Sequence, residues 1–301
     1  MDNFKVIKKL GSGSSGIVYL VKSLGNGNLC AIKEMEYDSL EIQEKERIIQ
    51  EIEIIRLCNH DNIIKIFSLT KCNGKIEILM EYADNNDLFD YVSKRTTPLP
   101  ESEVVEIFTQ ICLAVKYLHD RKIIHRDIKL DNIFMFKNGL IKLGDFGFAK
   151  CLRSTIDKTK STVGSPYYLS PEVCSGIPYS APSDIWGLGC VLFIMCTLKF
   201  PFYGNTFPDI VRSILRCAPA SIPHIYSNEL RQLVTLMLQK QPEKRPTINE
   251  ILQVPLLRYK AMELLGRSAF ESEMSHTIFH GFAPGVTPNG FLNEIKIQLD
   301  N

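Results

Sequence analysis

Between residues 125 and 145 the chain gathers side chains of the types and spacing that a reaction centre needs. His125-Arg126-Asp127 is followed by Lys129 and then, five residues past the aspartate, by Asn132. A carboxylate such as Asp127 can orient an incoming hydroxyl and accept its proton. Asn132 offers a neutral oxygen suited to a hard cation, and Lys129 can steady an anionic group in transit. Asp145, within Leu143-Gly144-Asp145-Phe146-Gly147, adds a second hard oxygen ligand, with Phe146 for packing and Gly147 as a backbone pivot. Asp-Phe-Gly alone would be a common turn. Thirteen residues after Asn132 it completes a sparse oxygen set of the kind Mg²⁺ uses, the remaining positions going to phosphate and water.

Two features nearer the N-terminus suit the phosphates themselves. Gly11-Ser-Gly13-Ser-Ser-Gly16-Ile-Val18 lets backbone amides approach phosphate oxygens with no side chain between. A dinucleotide-binding turn has the same glycine spacing, but it opens a helix, whereas β-branched strand residues follow Gly16 here. A nicotinamide-dependent oxidoreductase is therefore set aside, and the loop reads as a hairpin lid. Lys33, in Cys30-Ala31-Ile32-Lys33, would ordinarily be a solvated strand lysine. Glu51, eighteen residues later and mid-helix, is placed to neutralise it, leaving a fixed point charge for α- and β-phosphates.

These residues need a scaffold, and the pattern supplies one. Strands are expected at Phe4–Ile7, Ile17–Val21, Leu29–Lys33, Ile63–Leu69 and Ile76–Tyr82, with turns at Gly25-Asn26-Gly27 and Asn73-Gly74. One helix interrupts them within Glu41–Leu57, where Ile48, Ile52 and Ile55 form an apolar stripe. After Tyr82, Asp84-Asn85-Asn86-Asp87 breaks the strand and caps a helix near Leu88. Helices then dominate: Glu101–His119, Ser183–Thr197 and Glu229–Gln239. The fold class is α+β in two lobes. A small β-rich lobe covers about 4–80, a hinge 81–86 and a larger helical lobe 87–257, with 258–301 as a tail.

In this order and spacing the motifs resemble the eukaryotic protein kinase family over residues 4–257. Ser170-Pro171-Glu172 resembles the element closing the activation segment. Ser183-Asp184-Ile-Trp186-Gly-Leu-Gly189 resembles the central helix of the large lobe, whose Asp184 would hold the catalytic loop. Arg245 would pair with Glu172, as a buried tie or as an ordinary surface salt bridge. The resemblance implies ATP and Mg²⁺ as cofactors. It places Leu10, Gly11, Gly13, Gly16, Val18, Ala31 and Lys33 around the nucleotide from above and Phe134 below. Met80 is the expected gatekeeper; the Glu81 carbonyl and Ala83 amide would bond the adenine edge, with Asp87 near the ribose. Asp127 is the expected catalytic base, Lys129 and the Lys33–Glu51 pair its helpers, and Asn132 and Asp145 the metal ligands.

Lys129, together with Gly164-Ser165-Pro166-Tyr167-Tyr168, is similar to serine/threonine kinases rather than tyrosine kinases, and Phe148 fits a preference for serine. Val163–Glu172 and Ser183–Lys199 look most like the NIMA-related kinases. Leu130 departs from a frequent proline. Ile66 stands where some members place an inward-folding inhibitory tyrosine, so that device is not expected here. Arg126 reads as an unpaired cation awaiting a phosphate, with Ser161 first and Thr162 second as the acceptor, modified by an upstream kinase or by autophosphorylation.

Composition limits the alternatives. Lys and Arg total 35 against 34 Asp and Glu, so bulk charge predicts neither nucleic-acid nor polybasic membrane binding. The partners expected are proteins bearing serine or threonine acceptors. Nine cysteines, an odd count with no C-x-x-C pair, favour reduced thiols and a cytoplasmic or nuclear setting, cytoskeletal association included. No signal-peptide core opens the chain, and Ile185–Leu198 is too short to span a bilayer. In the tail, Phe279-His-Gly-Phe282 resembles aromatic segments that latch onto a kinase's own small lobe, against packing without specificity or disorder. A pseudokinase scaffold is the competing reading, opposed by the presence of Lys33, Glu51, Asp127, Asn132 and Asp145.

Overall fold

In a computed structural model, residues 3–13, 16–146 and 166–275 are described. Strands β1 (Phe4–Gly13), β2 (Gly16–Ser23), β3 (Leu29–Glu36), β4 (Ile66–Cys72) and β5 (Lys75–Glu81) form an antiparallel sheet in the order β1-β2-β3-β5-β4. The first strand runs six residues past the expected Ile7, up to the glycine-rich hairpin. β4 starts three residues late because Ile63 and Ile64 are bound elsewhere: Ile63 bridges Leu143, and Ile64 N donates to Leu143 O at 2.9 Å. The β4–β5 turn carries φ of 49° at Asn73 and 77° at Gly74, the left-handed pair a tight hairpin needs.

Helix α1 (Ile42–Arg56) lays Ile48, Ile52 and Ile55 on this sheet, and all three are buried. The spacing i, i+4, i+7 puts them on one face, as an amphipathic helix requires. β5 leads into a short crossing segment and then α2 (Leu88–Ser93), whose N-cap Asp87 accepts from Asp90 N at 2.8 Å.

The large lobe is built on α3 (Glu101–Asp120) and α5 (Ala181–Thr197), with α4 (Pro171–Cys174) between them in sequence. Every residue of α5 from Ser183 to Cys196 is buried, as befits a helix apolar on all sides. Trp186 stacks on Phe202 with ring centroids 5.3 Å apart. Cys112, Cys190 and Cys196 pack here as small hydrophobes, and their thiols are held above the ordinary cysteine range by burial. Helices α6 (Phe207–Arg216), α7 (Asn228–Met237) and α8 (Ile248–Gln253) complete the lobe.

The helical packing continues past Leu257. α9 (Pro255–Leu265) runs through that position, and α10 (Arg267–Ser275) follows it. Phe270 is buried in the main core, and Glu273 lies 3.7 Å from the buried Lys116 of α3. The aromatic pair Phe279 and Phe282 lies outside the described residues. Among the described residues, no helix is long and apolar enough to cross a membrane.

Candidate active site

The site is assembled where the two lobes meet. A two-stranded ribbon, β6 (Ile133–Met135) and β7 (Ile141–Leu143), sits beneath the hinge and delivers Asp145 from its far end. Asn62 and Gln110 hold this ribbon: Asn62 Nδ2 donates to Ile141 O at 2.8 Å, and Gln110 Oε1 accepts from Ile141 N at 2.9 Å. Neither residue is recognisable as functional from sequence, because each acts on backbone groups distant in the chain.

The loop carrying Asp127 hangs from one buried carboxylate. Asp184 is fully buried and accepts from His125 N at 2.9 Å, Arg126 N at 3.0 Å, Tyr179 Oη at 3.0 Å and His119 Nε2 at 2.9 Å. Burial alone would raise its pKa, but the His119 bond and charge, with His125, outweigh that and hold it below the usual carboxylate range. Arg126 has φ of 70°, a left-handed conformation kept in place by these bonds. The role expected for Asp184 is thus met geometrically. Its supports, His119 and Tyr179, were not legible beforehand; polar residues flanking an apolar helix were the only signal.

Asn132 donates through Nδ2 to Asp127 O at 2.7 Å, to Asp127 Oδ2 at 3.0 Å and to Asp145 O at 3.3 Å, linking the two motifs. Its amide nitrogen is thereby occupied and its oxygen left as the side chain's acceptor. Together with Asp145 this makes a two-oxygen donor set, which fits Mg²⁺. Among the described residues no group of three or more His, Cys, Asp or Glu forms a closed metal cage. Lys129 Nζ lies 3.2 Å from Asp127 Oδ2. Burial pulls that ammonium's pKa down, yet Asp127 beside it outweighs the loss and holds it above the ordinary lysine value. His125, buried, is lowered by desolvation; its ring lies 4.6 Å from Phe146, and its Nε2 is 3.1 Å from Gly144 O.

The expected Lys33–Glu51 pair is not formed. Lys33 Nζ is bound to Asp145 Oδ1, while Glu51 Oε1 accepts from Arg126 Nη1 at 2.7 Å. Arg126 is accordingly paired, not the unpaired cation its sequence context suggested. The reason is charge matching. Three carboxylates, Glu51, Asp127 and Asp145, share this space with three cations, Arg126, Lys129 and Lys33. Each carboxylate takes one cation: Glu51 pairs with Arg126, Asp127 with Lys129 and Asp145 with Lys33.

Above the ribbon, Ala31 is registered with Met80 and Cys30 with Glu81. Val18 opposes Lys33. A Cβ on Gly16, whose φ is 123°, would stand 2.0 Å from Glu34 O, so only glycine fits the lid's return. Met80, Lys33, Gly144, Asp145 and Phe146 line one small cleft, with Ile66. Phe134 and Asp87 bridge each other below. Leu10, Gly11 and Gly13 lie on β1 at the lid. Ser161 and Thr162 lie outside the described residues.

Arg245 and Glu172 form a buried tie. Nη1 donates to Oε1 at 2.8 Å and Nη2 to Oε2 at 2.7 Å, and both side chains are almost wholly excluded from solvent.

A protein kinase domain model matches residues 4–257. The chain is 41% identical to the human serine/threonine-protein kinase Nek5 over 92% of its own length and 40% of that protein's. It is 37% identical to mouse Nek1, covering 96% of this chain and 24% of the relative. Against the G2-specific protein kinase fin1 of Schizosaccharomyces pombe the identity is 35%, over 85% and 39%. The chain thus spans well under half the length of these curated relatives. The resemblance to NIMA-related kinases is borne out by these matches: the chain belongs to the protein kinase family and is similar to NIMA-related serine/threonine kinases.

Proposed function

We propose that the chain transfers the γ-phosphoryl group of ATP to serine or threonine hydroxyls of protein substrates, with Mg²⁺ as cofactor. One observation carries the reading: Asp127, Asn132 and Asp145 are joined by a single side-chain amide, with Lys129 and Lys33 paired to the two carboxylates.

In this reading Asp127 orients the acceptor hydroxyl and receives its proton, and Lys129, kept charged by Asp127, faces the transferred group. Asn132 and Asp145 would hold Mg²⁺, which supplies charge neutralisation of the phosphates when bound. Lys33 serves the α- and β-phosphates, and the lid from Gly11 to Gly16 covers them. The adenine lies between Ala31, Val18 and Leu10 above and Phe134 below, bonded by Glu81 O and Ala83 N past the gatekeeper Met80, with Asp87 near the ribose. Catalysis is by positioning and charge stabilisation, with no covalent intermediate on the protein.

Regulation follows from the Arg126–Glu51 pair. A phosphate on Ser161 or Thr162, placed by an upstream kinase or by the chain itself, carries about −1.5 to −2 charges. It would outcompete Glu51 for the Arg126 guanidinium and release Glu51 toward Lys33. The competing scaffold reading has no residue in its favour, since each charged member of the site is present.

The test is transfer of radiolabelled phosphate from ATP to a generic protein acceptor. Wild type is expected to label it, and Asp127→Asn to fall by at least about a hundredfold, the lower end of what a positioned base contributes. Equal labelling by both would remove the assignment.

A further inference from the structure

Lys142 is a strand lysine in the middle of β7, yet it is 9% exposed. Lysines are rarely buried unless paired, and this one has a partner across the lobe boundary. Its Nζ lies 2.9 Å from Oε1 and 2.8 Å from Oε2 of Glu81, the last residue of β5. Glu81 is fixed from its other side too: its N donates to Lys65 O at 2.9 Å and its Oε2 accepts from Lys65 N at 3.3 Å. The Phe136 ring lies 5.3 Å from the same ammonium.

The strand register makes this pair consequential. Lys142 stands directly opposite Phe134 in the antiparallel ribbon, and opposed residues share a face. Phe134 is the floor of the adenine slot in the proposed function, and the Glu81 carbonyl is its hinge edge. A single ion pair therefore ties β7, the floor strand's partner in the ribbon, to the residue presenting the hinge carbonyl, three positions before Asp145.

We propose that Lys142 is a positioning residue for the nucleotide, setting the distance between hinge and floor through the Glu81 carboxylate. This rests on the reading of the chain as an ATP-dependent kinase. Removing the ammonium leaves a half-buried carboxylate without its main partner and cuts the link between β7 and the hinge residue, so the spacing of hinge and floor is no longer held. The acceptor hydroxyl is bound by other residues and does not feel the change.

The experiment measures kcat, KM for ATP and KM for a peptide acceptor, with direct titration of a fluorescent ATP analogue, for the full chain and its variants. Lys142→Met is expected to raise KM for ATP and weaken the analogue roughly tenfold, with KM for the acceptor little altered. Glu81→Gln, which keeps the backbone carbonyl, should do the same. The double variant should be no worse than either single one, because the two act as one unit. Lys142→Arg, able to reach both carboxylate oxygens, should restore most of the affinity. Unchanged nucleotide affinity in Lys142→Met, equal changes in all three kinetic constants, additive losses in the double variant, or no rescue by arginine would each overturn the proposal. If Lys142→Met does not fold, Glu81→Gln decides it by the same readouts. A wild-type chain that binds the analogue but transfers no phosphate would sink the kinase reading instead, while the titration still judges Lys142.

Discussion

Replacing Arg245 with methionine isolates the Glu172 tie. The guanidinium makes two bonds to Glu172, at 2.8 and 2.7 Å, and others to the backbone oxygens of Pro182 at 2.7 Å and Gln239 at 2.8 Å. Methionine fills much of the space beside Trp186 but satisfies none of these acceptors. Glu172 would keep only the Ser183 hydroxyl, at 2.6 Å. Breaking a buried pair by removing one partner costs about 3–5 kcal/mol. At roughly 2–4 °C per kcal/mol for a domain approaching this size, the melting midpoint should fall by about 6–20 °C. The loss should also depend on pH. In the wild type, burial pushes the Glu172 carboxyl up, but the Arg245 and Ser183 bonds outweigh it, so its pKa lies below the ordinary glutamate value. That contribution is present above the unfolded value of about 4.3 and vanishes as pH falls through the folded one. Without Arg245, desolvation should raise the pKa instead, penalising the charged form most near neutrality. Thermal melts at pH 7.5 and pH 5 should therefore show the gap between wild type and Arg245→Met narrowing in acid, with Glu172→Gln/Arg245→Met recovering much of the stability. A shift under about 3 °C, equal at both pH values, would mean a surface-strength salt bridge and refute the reasoning.

Other outcomes follow from the same geometry. Ser161→Ala/Thr162→Ala should lose most of the transfer activity while leaving the melting midpoint within a few degrees; full activity in a phosphate assay would remove the proposed release of Glu51 from Arg126. Gly16→Ala should weaken nucleotide binding at least tenfold by titration, because its Cβ meets Glu34 O at 2.0 Å and its φ of 123° is strained for any other residue. Acid should destabilise the fold from pH 7 downward. His125 and His60 are both lowered chiefly by burial. Each therefore contributes stability that is complete above the unfolded histidine value of about 6.5 and is lost as pH falls toward the folded value. Denaturant melts between pH 7.5 and pH 5.5 check this, and a flat profile would contradict it.

The lobes were legible because their elements carry local signals. The Ile48-Ile52-Ile55 stripe, the Asn73-Gly74 turn and the apolar run of α5 depend on neighbours in sequence. Motif residues were legible for a related reason: Asp127, Asn132 and Asp145 lie within nineteen positions, and their chemistry restricts the spacing. What could not be read were choices between partners. Glu51 had two cations within reach in three dimensions, and spacing alone favoured Lys33 over Arg126. Lys142 looked like any alternating strand lysine, since its partner Glu81 is 61 residues away. Lys116 was hidden likewise. Its neighbours Val115 and Tyr117 mark an apolar helix, but Glu273, 3.7 Å from its ammonium, comes from a segment expected to be a tail. The Asp184 anchor was legible as a position, while its four donors come from three stretches of chain and only the fold assembles them.

The most direct test is isothermal titration of the purified chain with ATP, with and without Mg²⁺, alongside Asp145→Asn. Saturable binding strengthened by Mg²⁺ in the wild type, with the Mg²⁺ effect abolished in Asp145→Asn, is the predicted result. No binding by the wild type, or affinity indifferent to both Mg²⁺ and the substitution, would contradict it.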